Sequence, residues 1–424
     1  MGSTARHNPR RRGVTLVELL VVVGILLLLM AIAIPALQPM MESRRIRAAS
    51  RSVMAYFGSA QVRALETGRP CGVLLERVAD PATGNANADA CVVLRQVEVP
   101  PPYAGDNVSS KIRIARVVGN VFHAQIQTGD FLYSEVRPGD LVRIGFQGPL
   151  YTLRDDPADN SAFHPQGNQQ GEPFDFSVQQ DTNGDGWIDN RYLILELNPP
   201  FTAPWTNVPA TVSFQVFRQP GIAFDTAANR PSPSAAPPLR LPRGVVIDLW
   251  ASGSRTGTLA SPRLPPDDLH AHRMDEGSPF PLDSRPVVIM FTPTGSLDVV
   301  YCSYYDPTVP SPRPALWGPV PWATTLYLLL GRADRMDLLT GGGPFAPRTG
   351  AVPPEDGLSN WEDTTNLWLA INPQSGQVTT AAVAPDMVDP NNPSANRPRT
   401  AKPSNLAAAR RFALEVQLVG KGEQ

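Results

Sequence analysis

The chain is poor in cysteine and carries no surplus of charge of either sign. Three cysteines in 424 residues, Cys71, Cys91 and Cys302, are too few for a disulfide scaffold and lack the paired spacing of a zinc site. A formal net charge of −2 excludes the strongly basic surface that nucleic acid or an anionic membrane selects. No nucleophile elbow, phosphate loop, zinc-hydrolase motif or recognisable pair of catalytic carboxylates is present, and we expect no enzyme. Proline, by contrast, is abundant: 46 residues, about 11% against a usual ~5%. With 42% hydrophobic residues and 33 glycines, the composition predicts a folded body rich in loops and strands. The length allows about two to four domains at roughly 100 to 200 residues each.

The one long hydrophobic run lies near the amino terminus. Arg10-Arg11-Arg12-Gly13 precedes Val14-Thr15-Leu16-Val17-Glu18, and Leu19 to Met41 then runs for 23 residues without a charge. As a helix this stretch is about 34 Å long, enough to cross a hydrocarbon core of about 30 Å. The basic leader precedes the apolar run, so a cut after Gly13 leaves the helix on the mature chain, which a secretory signal peptide does not do. A carboxylate such as Glu18 costs roughly 2.5–3.5 kcal/mol near a bilayer centre and therefore needs a partner. The competing reading is a plain single-pass anchor with a chance glutamate. Arginines flank the run on both sides, so the positive-inside rule gives no orientation. Pro35, at position 22 counted from Val14, removes a helix hydrogen bond and predicts a bend or opening, with Pro39 adding to it. From Glu42 to Glu66 the pattern predicts a helix in water: Ile46, Ala49, Val53, Phe57, Ala60 and Ala64 form one apolar face, and Thr67-Gly68 stops it.

This arrangement resembles the prepilin leader of type IV pilins and type II secretion pseudopilins. The resemblance implies cleavage after Gly13 by prepilin peptidase and methylation of Val14, where phenylalanine is usual. Glu18 then pairs with the terminal amine of a neighbouring subunit, and Pro35 marks local melting on assembly. It further implies major and minor (pseudo)pilin subunits as partners, with the helix in the inner membrane and the head in the periplasm or an extracellular filament. Four later segments sharpen the likeness to the GspH/FimT branch of minor pseudopilins: Gln61 to Pro70, Leu241 to Ile247, Ile289 to Gly295 and Leu369 to Val378. The fold this implies is α+β and pilin-like, a long N-terminal transmembrane helix packed on an antiparallel β-rich head with inserted loops. Its expected parts are a leader (1–13), a membrane and filament-core helix (14–41), an amphipathic extension (42–68) and the head (69–424). Insertions are expected at about 100–240 and 303–360.

Short runs of Val, Ile, Leu and aromatics bounded by turn residues predict strands at Cys71–Arg77, Cys91–Val99, Lys111–Val118, Leu141–Phe146, Tyr192–Leu197 and Thr211–Phe217. Others are predicted at Val245–Trp250, Val287–Phe291, Leu297–Cys302, Thr325–Leu330, Leu367–Ile371 and Gln377–Ala381, with a short helix over Ser404–Val419. The proline-rich stretches, Pro307–Pro321 among them, read as surface connections with little apolar content to bury.

Asp181-Thr182-Asn183-Gly184-Asp185-Gly186-Trp187-Ile188-Asp189 fits the start of a calcium loop, with Asp181, Asn183, Asp185 and Asp189 offering side chains and Trp187 its carbonyl. Tyr192 stands where the bidentate acid belongs, and a polar turn without metal gives the same sequence. The histidines and acids of 267–276 lie in a proline-flanked loop without ligand spacing, and the solvated-loop reading is preferred there. Cys71 and Cys91 are expected to pair in an oxidising compartment, although two buried thiols would look the same. The function expected is that of a structural filament subunit. The alternative is a pilus-associated module for DNA uptake or adhesion. Loss of Arg6, Arg10, Arg11 and Arg12 with the leader takes the net charge from −2 to −6 and disfavours the DNA arm.

Overall fold

The computed structural model describes residues 16–78, 87–105, 107–118, 121–127, 139–146, 148–154, 181, 183–187, 193–197, 209–221, 224–225, 230–231, 236–254, 269, 285–305, 315–336, 358–385 and 406–419. Within residues 31–40 only the backbone is described. One helix, α1 (Leu16–Thr67), is followed by β1 (Cys71–Val78), β2 (Asn87–Glu98), β3 (Ile112–Val118), β4 (Val121–Ile126), β5 (Leu141–Ile144), β6 (Leu150–Arg154) and β7 (Leu193–Leu197). Then come β8 (Ala210–Val212), β9 (Phe214–Phe217), β10 (Phe224–Asp225), β11 (Arg230–Pro231), β12 (Leu239–Arg240), β13 (Val245–Gly253), β14 (Val287–Phe291) and β15 (Leu297–Tyr305). The chain closes with β16 (Ala315–Pro321), β17 (Leu326–Arg332), β18 (Leu367–Ile371), β19 (Val378–Ala382), α2 (Leu406–Ala409) and α3 (Arg411–Val419). This is an α+β arrangement of a helix and antiparallel strands.

The main sheet runs β16-β15-β14-β1-β2-β13-β17-β18-β19, with β12 also on β2. Only residues 322–325 join β16 to β17, yet five strands lie between them in the sheet. Laid flat, six strand spacings amount to about 29 Å, whereas five peptide steps reach at most about 18 Å. The sheet therefore curls, and it curls around α1. The predicted face of Ile46, Ala49, Val53, Phe57, Ala60 and Ala64 is 0–1% exposed, packed against residues from β1, β2, β13, β14, β15, β17 and β18. Phe57 meets Phe291 edge-on at 6.2 Å. Gly68 ends the helix at φ +64, its N–H donating to Ala64 O at 3.0 Å. The helix assignment is continuous through Pro35 and Pro39, so the expected opening at Pro35 does not appear as a break.

A second sheet, β8-β3-β4-β7-β6-β5-β9, is separate from the first. Its two end strands, β8 and β9, flank the single residue Ser213, β8 pairing with β3 and β9 with β5. The two sheet edges are thus one bent strand, and the sheet closes into a barrel with its own core, which includes Phe122, Tyr151, Leu195 and Phe214. Paired linkers tie the barrel to the main sheet: Glu98 and Gly221 exchange backbone hydrogen bonds at 3.0 and 3.1 Å, as do Tyr103 and Val216 at 2.9 and 2.7 Å. The stretch 303–360, read from sequence as an insertion, instead supplies β16 and β17 to the main sheet. The proline-rich stretch Pro307–Pro321 is expected to be a surface connection but contributes strand β16, whose prolines are tolerated because it is an edge strand. Leu269, in another such stretch, is fully buried in the helix–sheet core.

Helices α2 and α3 cover the opposite face of the sheet. Arg410 lies 4.8 Å from the ring centroids of both Tyr327 and Trp368 and donates to Ala251 O at 2.7 Å. That carbonyl belongs to a bulge in β13, where Asp248 pairs with Leu329 but Gly253 pairs with Tyr327. Asp248 holds the bulge by accepting from the N–H groups of Trp250 and Ala251 at 3.1 and 3.2 Å and from Asn360 Nδ2 at 3.1 Å.

Burial pushes the pKa of Asp248 up to about 6 against these hydrogen bonds, above the ~3.9 of an unfolded aspartate. The folded state therefore holds this proton more tightly than the unfolded chain, and the burial penalty on the carboxylate grows as pH rises from about 4 through 6. Relative to Asp248→Asn, the wild-type chain in detergent is expected to lose about 2 kcal/mol between pH 4.5 and 7.5, the larger part of the shift. Paired urea titrations measure this, and a difference that stays flat with pH contradicts it.

Candidate functional site

Helix α1 changes its surroundings along its length. From Leu16 to Met30 every side chain is exposed, with Leu16 at 79% and Leu28 at 65%. Glu18 is the only charged residue between Leu16 and Met41. Among the described residues no helix is long and apolar enough to cross a membrane. The side chains of residues 31–40, which include Pro35, are outside the description, as are Gly13 and Val14. Beyond this segment the helix enters the head, where Glu42 pairs with Arg332 at the end of β17. Arg63 donates to Glu98 on β2 at 2.8 Å.

Three of the four segments singled out from sequence converge at one place. Gln61 Nε2 donates to Gly295 O at 2.9 Å, and Leu297 N donates to Pro373 O at 3.0 Å. Gly376, at φ +64, has no room for a side chain, because a Cβ there would strike Gly295 O and Gln61 Nε2. The turns after β14 and β18 thus lock against each other and against the helix, which holds the sheet in its curl. The fourth segment turns at the start of β13, where Val245 N donates to Pro242 O and Ala333 N to Gly244 O, both at 3.0 Å.

The acidic loop sits beside the barrel. Asp181 accepts from the N–H groups of Gly184 (2.7 Å), Asp185 (3.2 Å) and Gly186 (2.8 Å), and Asn183 accepts from Asp185 N at 3.0 Å. Gly184 and Gly186 have φ +71 and +82, the turns that such a loop demands. Arg113 on β3 donates to Asp185 Oδ2 at 2.7 Å and lies 5.1 Å from the Trp187 ring centroid. This hydrogen bond holds the Asp185 carboxyl below its ordinary pKa. Gln127, bridged to Trp187 through the backbone, has a buried Oε1 without a partner. The donor set, acids with amide oxygens and a backbone carbonyl, fits calcium in type, and Arg113 competes for Asp185. Asp189 lies outside the described residues, and among those described no group of three His, Cys, Asp or Glu is gathered as a metal site. Sequence reasoning missed Arg113, because its strand is 72 residues away from Asp185.

The expected Cys71–Cys91 disulfide is not made: both are buried free thiols, as is Cys302. In the β1–β2 hairpin Cys71 pairs with Glu98 while Cys91 pairs with Arg77. That places the two cysteines roughly 20 Å apart at ~3.3 Å per residue, whereas a disulfide requires Cα atoms within about 7 Å. Burial pushes the Cys91 thiol up to about 12.

A family model described as the prokaryotic N-terminal methylation motif matches residues 8–34. This stretch contains Gly13, Val14 and Glu18 and supports a prepilin-type protein, a pilin- or pseudopilin-like substrate of prepilin peptidase. No curated protein matches the chain, and no solved structure matches it.

Maleimide labelling of the native chain in detergent is expected to leave all three thiols essentially unmodified over an hour, and labelling in guanidinium to modify three per chain without reductant. Two thiols that become reactive only after reduction would restore the disulfide.

Proposed function

We propose that this chain is a minor pseudopilin- or pilin-like subunit of a type II secretion or type IV pilus filament. It is processed by prepilin peptidase after Gly13, methylated on Val14 and assembled through α1. In the precursor the helix from Val14 to Met41 anchors it in the inner membrane, with the head on the periplasmic side. The observation that carries this reading is the division of α1. Its first described fifteen residues are exposed and apolar apart from Glu18 and Gly24, while the Ile46–Ala64 face is buried. A helix apolar all round needs lipid or other helices about it, and a filament core supplies both in turn. The match over residues 8–34 supports the same reading. The likeness to the GspH/FimT branch rests on the segments Gln61 to Pro70, Leu241 to Ile247, Ile289 to Gly295 and Leu369 to Val378, three of which meet where Gln61, Gly295 and Gly376 lock. No enzymatic role is proposed.

Adhesion through the closed barrel is the second reading, because the barrel is an additional module with its own core. Calcium at the acidic loop is part of that reading: the ion, bound by Asp181, Asn183, Asp185, Asp189 and the Trp187 carbonyl, would take Asp185 from Arg113 and stiffen the barrel's side.

Gly13→Val is expected to leave the precursor uncut, seen as the retained mass of residues 1–13, and to abolish incorporation. Glu18→Ala is expected to leave cleavage intact while reducing co-purification with the major subunit about tenfold; normal incorporation counts against the assembly role. Comparing exported proteins with and without the chain then decides between secretion and pilus filaments. For the loop, calcium at millimolar concentration is expected to change the fluorescence of Trp187. The change should be absent in Asp181→Ala and occur at several-fold lower calcium in Arg113→Ala. A wild-type response unaltered in both variants removes calcium from the loop.

A further inference from the structure

The main sheet ends in two strands of opposite chemistry. On β16, Pro319 and Pro321 stand opposite Tyr301 and Val299. Proline has no N–H, so the pairs that exchange hydrogen bonds are Val300 with Val320, Cys302 with Gly318 and Tyr304 with Leu316. The positions facing away from the sheet are then Ala315, Trp317, Pro319 and Pro321, and half of their donors are missing. Such an edge cannot accept a full partner strand.

Among the described residues the other edge is open. Asn372 N donates to Gln377 O and Val383 N donates to Asn366 O, both at 3.0 Å. With the β18–β19 register, this alternation turns the backbone groups of Thr379 and Ala381 toward β18. The N–H and C=O groups of Val378, Thr380 and Ala382 therefore face away from it. Among the described residues no strand pairs with β19 on that side. Val378 and Thr380 are part-buried and Ala382 is exposed. The strand Val-Thr-Thr-Ala-Ala carries neither proline nor charge, the two devices that usually protect an edge.

This edge is also held rigid from both faces. Val378 packs on the helix–sheet core, and Ala381 packs in the cluster beneath α3. Gln417 of α3 donates to Thr379 Oγ1 at 2.7 Å and to Ala370 O at 3.1 Å, and accepts from Asn372 Nδ2 at 3.1 Å. A strand adding here meets a pre-organised row of donors and acceptors and does not pay to order it.

We propose that β19 is the docking edge for an extended, uncharged strand from a different subunit of the filament, an inference that rests on the filament reading above. The partner is uncharged because the row it joins has no charge to neutralise another. It comes from a different chain because, among the described strands, β16 at the other end of the sheet's path lacks half of its outward donors, so the sheet cannot continue head to tail from one copy to the next. Its alternate side chains should be apolar on the α1 side, where they continue the surface of Val378, and small on the α3 side, beside Ala381.

The test places the photoreactive residue benzoylphenylalanine at Ala382, at Pro319 on the proline edge and at Val21 on the exposed helix, one site at a time, in the full chain within assembling cells. Ala382 and Val21 are expected to cross-link to another subunit species and Pro319 to give none. Thr380→Pro, which removes an outward donor and leaves the β18 ladder intact, should lower the Ala382 cross-link at least tenfold, while Thr380→Val retains it. Melting of both variants checks the fold. Cross-links from Val21 with none from Ala382 overturn the edge proposal and leave the filament reading standing. Cross-links from Ala382 solely to a second copy of this chain overturn the choice of partner. Absence at both positions overturns the filament reading as well.

Discussion

Everything in the head depends on the buried face of α1. Six residues at three- and four-residue steps, Ile46 to Ala64, have no contact with water, and a helix face of that width can be dried only by a surface that wraps it. The curled sheet is that surface. Its curl is enforced by chain length, since the short link between β16 and β17 cannot span a flat sheet. The locked turns around Gln61, Gly295 and Gly376 secure it. Neither feature works without the other: without the helix the sheet would enclose a void, and without the curl the helix would keep a wet apolar flank.

The same helix carries the functional division. Its C-terminal half belongs to the head, and Leu16 to Met30 offer an exposed apolar surface broken only by Glu18 and Gly24. A single continuous element transmits the position of one to the other, so a subunit placed by its helix places its head as well. The head then presents two further surfaces, a barrel joined by paired linkers and a sheet edge braced by α3. Among the described residues the two end strands of the barrel are continuous with each other, whereas the main sheet's path ends in one strand closed by proline and one left open. On the proposed filament reading, this asymmetry would give the head a direction for lateral contact.

Much of this was legible in the sequence, because local chemistry wrote it there. The leader, the apolar run and Glu18 are contiguous, and the match over residues 8–34 falls on them. The buried face of α1 follows from helical periodicity alone, and most strands announce themselves by β-branched runs. Less legible were β4 and β6, which are short and interrupted by polar residues such as His123, Gln125 and Thr152. Strand β16 was hidden by its prolines, whose meaning depends on which way each missing N–H points. That direction is set by the register with β15, and one strand cannot reveal it.

By itself, then, the sequence determined the amino-terminal chemistry, the amphipathic helix and the α+β class, because each depends on residues close together along the chain. Tertiary structure alone decided the rest. It closed strands β3 to β9 into a barrel, gave β17 a central place in the main sheet, kept Cys71 and Cys91 apart at opposite ends of one hairpin, and brought Arg113 to Asp185. These outcomes depend on pairing between distant segments. Such pairing is selected by which combination of strands buries the most apolar surface while satisfying every backbone hydrogen bond, a condition that only the assembled sheet can meet.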